Sequence, residues 1–364
     1  MTDTKSLSHV REAIDDIDQQ LQALIDRRAK LAQEVGIAKR GSSDNATFYR
    51  ADREAEVLRR VVARNDGPLS DDEMVRLFRE IMSACLAQQA PLKIGFLGPS
   101  GTFTQSAALK HFGHSIRDLP FASIDDVFRE VESGSADFGV VPIENSTEGT
   151  VNNTLDMFLV SPLKVCGEIE LRIEQHLMGS EADSLDTAQR ICAHQQSLAQ
   201  CRVWLREHFP DLEQIAVSSN AEGARRARDE VGTIAIGGQS AADVYGLNVL
   251  VRNIEDRADN TTRFLVLGKQ FLPASGDDKT TLMVSADNTH GAGTLYQLLL
   301  PLSDNGINMT RIESRPSRRG VWDYVFFIDI DGHPEETAVA LAIDALSKTA
   351  SLCKVIGAFP RAVL

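Results

Sequence analysis

The sequence has no apolar run approaching the length needed to cross a membrane, which excludes a membrane-spanning helix. Met1-Thr2-Asp3-Thr4-Lys5 leads straight into an amphipathic pattern, so no signal peptide is expected. Cys85, Cys166, Cys192, Cys201 and Cys353 are odd in number and lack the paired spacing of metal ligands. They read as reduced thiols of a cytoplasmic protein. There is no metal-ligand cluster and no dinucleotide glycine fingerprint, so no metal and no cofactor is implied. Basic residues are outnumbered, 38 Lys and Arg against 52 Asp and Glu, and the net charge of −14 argues against nucleic-acid binding as the main task. Tandem repeats and low-complexity stretches are lacking too. What remains is a chain of 364 residues, 43% hydrophobic and 25% charged. That is an ordinary globular composition, long enough for two or three domains.

Within it, one charge stands out. Leu7, Val10, Ile14, Ile17, Leu21, Leu24, Leu31 and Val35 recur at steps of three and four, and Arg28 occupies the position after Leu24 where the seam should be apolar. A guanidinium on a buried helix face is costly unless an anion pairs with it, which points to a site for a small anionic ligand. Snorkelling to solvent, or pairing with Asp26 or Glu34, is the bland alternative that position alone favours. Lys39 weakens that alternative. Eleven residues on, it returns to within roughly 20° of Arg28, about 16 Å along the axis, so both cations face one way. Arg11 lies about 25 Å from Arg28 on another azimuth, and only a symmetric partner chain can deliver it to the same pocket.

Residues 5 to 90 carry helical periodicity with almost no strand signal. A first helix over Leu7–Arg40 would be about 50 Å long, too long for one compact domain of this size, so packing against another chain is expected. A second helix runs from Ala51 to Arg64. A third starts at Ser70, in a capping box with Glu73, and carries Phe78, Met82 and Cys85, with Gln89 continuing that face. From Lys93 to about residue 270, short apolar strands alternate with helices, the pattern of an α/β architecture in one domain or two lobes. A linker, Pro273 to Asp278, precedes a βαββαβ order, the ferredoxin-like unit.

Arg11-Glu12, Arg28, Glu34 to Lys39, Asp52-Arg53-Glu54 and Gln89 together resemble the all-helical chorismate mutases that are fused to prephenate dehydratase. The resemblance implies an intertwined homodimer whose sites combine both chains. Chorismate carries two carboxylates and rearranges in one pericyclic step, which needs conformational restraint and charge stabilisation rather than a nucleophile. By resemblance Arg11 and Arg28 clamp carboxylates, Lys39 and Gln89 donate to the ether oxygen, Glu54 takes the ring hydroxyl and Arg53 supports the carboxylate site. Two positions depart from the pattern. Arg50 replaces an acid found in some relatives, and Cys85 replaces an expected serine.

Gly98 to Thr104 joins a strand to a helix, Pro142-Ile143-Glu144-Asn145-Ser146 follows a strand, and Thr261-Thr262-Arg263-Phe264 precedes Leu265-Val266-Leu267. In this order the motifs look like prephenate dehydratase, a fold of two α/β lobes similar to periplasmic binding proteins. That enzyme expels carbon dioxide and the ring hydroxyl from prephenate to give phenylpyruvate. The resemblance makes Thr262 the essential hydroxyl, assisted by Arg263 because a free threonine is too weak an acid. Thr102, Thr104, Glu144 and Asn145 are candidates for binding substrate. His194 is a tempting acid, but Gln195, Gln196 and Ser197 read as a surface loop.

The last unit resembles the amino-acid-binding ACT domain. Glu313-Ser314-Arg315-Pro316 matches the segment by which related dehydratases bind phenylalanine, and Gly293-Thr294-Leu295 falls at the less regular glycine turn. The expectation is therefore three units: an all-α three-helix mutase domain (residues 1–90), a two-lobed α/β dehydratase domain (93–272) and an α+β ACT domain (278–364). The implied activity is conversion of chorismate to prephenate and then phenylpyruvate, inhibited by phenylalanine. A catalytically inactive amino-acid sensor or a solute-binding protein is the alternative.

Overall fold

The computed structural model describes residues 7–41, 49–181, 185–285, 293–317 and 324–363. It opens with three helices, α1 (Leu7–Gly41), α2 (Ala51–Ala63) and α3 (Asp71–Ala87). Ser70 caps α3 by accepting a hydrogen bond from the Glu73 amide, and Asp71, Asp72 and Glu73 set negative charge on the positive end of the helix. The hairpin of α2 and α3 buries Ala55, Leu58, Val61 and Val75. In contrast, α1 rests on α3 near its carboxyl end and leaves Leu7, Val10, Ile14, Ile17, Leu21, Leu24, Leu31 and Val35 exposed. At Gly36 the approach is close, since a β-carbon there would lie 2.8 Å from Gln89 Cγ.

A first α/β lobe follows: β1 (Lys93–Leu97), α4 (Phe103–Phe112), β2 (Arg117–Phe121), α5 (Ile124–Ser133), β3 (Phe138–Asn145), β4 (Gly149–Thr150), α6 (Asn152–Phe158) and β5 (Lys164–Arg172). The chain then crosses to a second lobe, with β6 (His176–Gly179), β7 (Arg190–His194), α7 (Gln195–Gln200), α8 (Arg202–His208), β8 (Glu213–Val217), α9 (Asn220–Asp229), β9 (Thr233–Gly237), α10 (Gln239–Tyr245) and β10 (Asn248–Val251). Its sheet runs β10-β6-β9-β7-β8. β11 (Thr261–Gly268) returns to the first lobe and pairs antiparallel with both β3 and β5. Helix α4 packs under this sheet, and Tyr49 joins Phe112 and Phe138 there, fastening the helical block to the lobe. The Tyr49 hydroxyl meets His111 Nε2 at 3.1 Å, and burial pushes the imidazole down to about 3, so it stays neutral at pH 7.

The last elements are β12 (Asp278–Ser285), α11 (Thr294–Asp304), β13 (Met309–Pro316), β14 (Tyr324–Asp331), α12 (Thr337–Thr349) and β15 (Leu352–Pro360). They give the expected βαββαβ order, with strands arranged β13-β14-β12-β15. This unit is not strung on a free linker. Arg59 of α2 donates to the carbonyls of Ser275 and Asp277, and Asp278 accepts from the Ser275 and Gly276 amides. β15 continues into β5 through Gly357 and Val165, so one sheet runs through both units. Val141, Ile143, Leu265 and Leu267 share a core with Met283, Val325, Phe327, Ile356 and Phe359, so the two parts of that sheet also meet face to face.

Gly357 makes that junction possible, because a β-carbon there would lie 2.4 Å from the Val165 carbonyl oxygen. Gly357→Ala should destabilise the chain by about 1–3 kcal/mol through overpacking against backbone. Urea unfolding checks this, and an unchanged midpoint would show that the two strands separate freely.

Candidate active sites

Among the helices, α1, α2 and the end of α3 enclose a cavity of about 610 Å³ whose walls include Arg28, Arg53, Glu54, Cys85 and Gln89. Five residues spread over more than sixty positions thus line one cavity. Gln89 lies in the turn after α3 rather than on the helix, since Gln88 is already the cap. Its Oε1 is buried without a hydrogen-bond partner, so the amide is left for a ligand. Arg11 is on the exposed part of α1, about 25 Å up the axis from Arg28, and does not reach this cavity within one chain. Lys39 is the one mutase candidate whose side chain lies outside the described residues.

Arg50 lies over Asp52 in a two-pronged ion pair at 2.5 and 2.9 Å, so its cation is already matched. Glu54 was legible in the sequence, but its partner Arg79, at 3.6 Å, was not. Burial pushes the Glu54 carboxyl up to about 7 despite the opposing pull of Arg79. Arg79 sits one turn before Met82 on α3. That spacing was the only available clue.

The second site lies at the carboxyl ends of β1 and β3, where open α/β sheets place ligands. Asn145 Nδ2 donates to Thr262 Oγ1 at 2.8 Å and to Asn260 Oδ1 at 2.9 Å. Its own Oδ1 accepts from the Thr147 amide, the Thr147 hydroxyl and the Glu148 amide, which fixes the orientation of the amide. Asn260 is buried, with Nδ2 unpartnered beside this cluster. The residue directly precedes the Thr-Thr-Arg-Phe motif, yet nothing in an asparagine before a strand marked it. Thr102 donates to the Leu97 carbonyl, and Thr104 is buried in the first turn of α4. Both therefore sit at the same sheet edge. The loop between them and β1 reaches the other lobe, where Tyr245 donates to the Ser100 carbonyl and Phe103 covers Gly238.

Two expectations at this site are corrected. The Arg263 side chain does not face Thr262 to assist it, and the Glu144 side chain, a candidate for binding substrate, does not share the face of Asn145. Thr262 pairs with Asn145 and Arg263 with Glu144 in the β3–β11 ladder, and successive side chains of a strand take opposite faces. Arg263 and Glu144 therefore point to the far face, where Arg263 bonds Glu168 and Asp329 and Glu144 accepts from Arg311. His194 does not open a surface loop either. It ends β7 and caps α7 by accepting from the Gln196 amide, and Ser197 is buried against Gln175 and Asn220.

The third group of candidates is split in the same way. Arg311, Glu313 and Arg315 are half-buried toward the dehydratase lobe, meeting Glu144, Thr150 and Asp156. Ser314 pairs with Phe326 and Ile312 with Ile328, residues of the helix-covered core, so Ser314 and Pro316 take the other face. Gly293, at φ 92°, caps α11, which Thr294 and Leu295 begin and which packs on that second face. Glu313 and Arg315 thus do not share a face with Ser314.

Comparison with known proteins agrees with this geometry. Residues 10–90 match the family model of chorismate mutase type II, and residues 94–271 match that of prephenate dehydratase. Bifunctional chorismate mutase/prephenate dehydratases of Stutzerimonas stutzeri and Pseudomonas aeruginosa are each 51% identical over all of both chains. The chain belongs to the bifunctional chorismate mutase/prephenate dehydratase family. A solved prephenate dehydratase from Arthrobacter aurescens, in complex with L-Phe, is 34% identical with a TM-score of 0.69, covering 74% of this chain and 90% of that one. As a member of this family, the chain is an enzyme with two activities, chorismate mutase on the helical block and prephenate dehydratase on the α/β lobes.

The raised carboxyl in the mutase cavity has a measurable consequence. Folding binds the Glu54 proton more tightly, so its favourable contribution is complete below about 4.5 and is lost as pH rises through about 7. Glu54→Gln should flatten the fall in unfolding free energy between pH 5 and 8.5, by an amount on the order of a few kcal/mol. Urea titrations at both pH values compare the two proteins, and equal pH slopes would remove Glu54 as the titrating group.

Proposed function

We propose that the helical cavity holds chorismate, with Arg28 and Arg53 on its carboxylates, Glu54 on the ring hydroxyl, and Gln89 with Lys39 on the ether oxygen. The convergence of Arg28, Arg53, Glu54 and Gln89 on one cavity carries this reading. A half-turn of the Gln89 amide offers its NH₂ group where Oε1 now lacks a partner. Holding one compact conformer and stabilising charge on the breaking ether bond is sufficient for a unimolecular rearrangement. Arg11 comes from a second copy, and Cys85 lines the wall where a serine would have added a hydroxyl. The exposed apolar seam of α1 supports the homodimer this requires.

In the dehydratase step the Thr262 O–H donates a hydrogen bond to the ring hydroxyl, which departs as hydroxide when the electron pair left by carbon dioxide aromatises the ring. By accepting from Asn145, its oxygen keeps the O–H free to donate and more strongly polarised. Asn260, with its unpartnered buried amide, takes the assisting role expected of Arg263. The βαββαβ unit is an ACT domain that binds phenylalanine and lowers dehydratase activity. The L-Phe complex of the Arthrobacter aurescens relative supports this, as does the shared face of Ser314, Pro316 and the start of α11. The five unpaired cysteines, four of them buried, suit the reducing cytoplasm. No helix among the described residues is long and apolar enough to cross a membrane.

Arg28→Ala should cut chorismate consumption by about a hundred-fold or more while supplied prephenate is still dehydrated. Thr262→Ala should do the reverse, letting prephenate accumulate from chorismate. Assaying both variants on both substrates tests the assignment, and loss of both activities in a folded single variant would sink the two-site reading. Ser314→Ala should weaken phenylalanine inhibition by about ten-fold, read from inhibition curves. An unaltered curve would place the effector elsewhere.

A further inference from the structure

The far face of the catalytic ladder carries more charge than a sheet interior usually tolerates. Arg263 Nη1 donates to Asp329 Oδ2 at 2.6 Å and Nε to Glu168 Oε2 at 3.0 Å, Lys279 lies 2.8 Å from Glu168, and Thr281 donates to Asp329 at 2.7 Å. The side chains of Glu168 and Asp329 are each 3% exposed. Nearby, Arg311 Nε donates to Glu144 Oε2 at 2.9 Å. Asp329, Thr281, Lys279 and Arg311 belong to the C-terminal unit, whereas Arg263, Glu168 and Glu144 belong to the first lobe.

The register makes these contacts matter for catalysis. Arg263 and Glu144 are the immediate neighbours of Thr262 and Asn145, and they pair with each other as Thr262 pairs with Asn145. The ladder shifts register between Arg263 and Phe264, with Ile143 as the extra residue. Ile143 and Glu144 therefore both reach the far face, Ile143 into the shared apolar core and Glu144 to Arg311. Any twist of the ladder that displaces Thr262 from Asn145 must also drag Arg263 against the buried carboxylates of Glu168 and Asp329, and the half-exposed Glu144 against Arg311.

We propose that the C-terminal unit supplies two positioning residues to the dehydratase site, Asp329 and Arg311, which hold Thr262 and Asn145 in register by gripping Arg263 and Glu144 from behind the sheet. The proposal rests on Thr262 and Asn145 as the dehydratase pair. Neither positioning residue touches substrate, so each acts on turnover rather than on affinity.

The test is a double-mutant cycle in the full-length chain, with prephenate and chorismate assayed separately. Arg311→Gln and Glu144→Gln should each lower kcat for prephenate by about ten-fold, leave KM within about two-fold, and leave chorismate consumption unchanged. The double variant should be no slower than the worse single, because one pair has been broken twice. Asp329→Asn should likewise lower kcat with KM held. If that variant fails to fold, the Arg311–Glu144 cycle decides alone. A folded Arg311→Gln protein with full kcat, or single losses that multiply in the double variant, overturns the proposal. Thr262→Ala, measured alongside, separates the two readings. A dead Thr262→Ala with fully active Arg311→Gln and Asp329→Asn removes only the positioning, whereas an active Thr262→Ala removes the catalytic pair and the proposal with it.

Discussion

Antiparallel pairing of Thr262 with Asn145 fixes the side of the sheet on which each neighbouring residue works. A strand gives its side chains two directions and no others, so placing Thr262 on the face of Asn145 commits Arg263 to the opposite face. The same holds for Asn145 and Glu144, with the register shift at Ile143 restoring the match between the two strands. Four residues are thereby divided in two: Thr262 and Asn145 hydrogen-bond to each other on one face, and Arg263 and Glu144 bond the C-terminal unit on the other. The adhesion is ionic where an apolar interface would serve stability equally well, since desolvating such charges offsets most of their attraction. Directional ion pairs at fixed distances specify register, which a layer of leucines does not.

The helical block obeys a different constraint. α1 spans 35 residues, yet one chain covers little more than its contact with α3 near Gly36. Burying each of the exposed apolar side chains of its seam would contribute about 1.5–3 kcal/mol, far more than a lone projecting helix gains from solvent. Arg28 falls where the seam passes the cavity, and Arg11 falls where it does not. The helical cavity of a single chain is consequently lined by Arg28 but not by Arg11.

Element order, the Ser70 cap, the length of α1 and the βαββαβ tail were all legible in the sequence, because periodicity and capping are local. Convergence of Arg28, Arg53, Glu54, Cys85 and Gln89 was legible only through resemblance, since it depends on how three helices meet. Arg263 and Glu144 were misread because a motif names residues without naming faces, and a one-residue register shift is invisible in a single strand. Arg79 and Asn260 were missed for a related reason: each gains its significance from a partner or a vacancy supplied by distant chain. The joining of β15 to β5 hinged on one glycine, Gly357, whose meaning appears only when Val165 is beside it.

The division of faces bears on how an effector in the tail would be felt at Thr262. On β13, Ser314 is exposed on the face of the sheet that elsewhere carries the helices, while Arg311, Glu313 and Arg315 hold Glu144, Thr150 and Asp156 on the other. Consecutive residues of a strand are only about 3.3 Å apart, so a ligand contact and a dehydratase contact are set on the same short piece of backbone. A tilt of β13 that improves the fit to a ligand must change the reach of Arg311 to Glu144, and Glu144 adjoins Asn145. No long chain of intermediaries would be needed between such a ligand and the Thr262 hydroxyl, because the contact of Arg311 with Glu144 already joins the two strands.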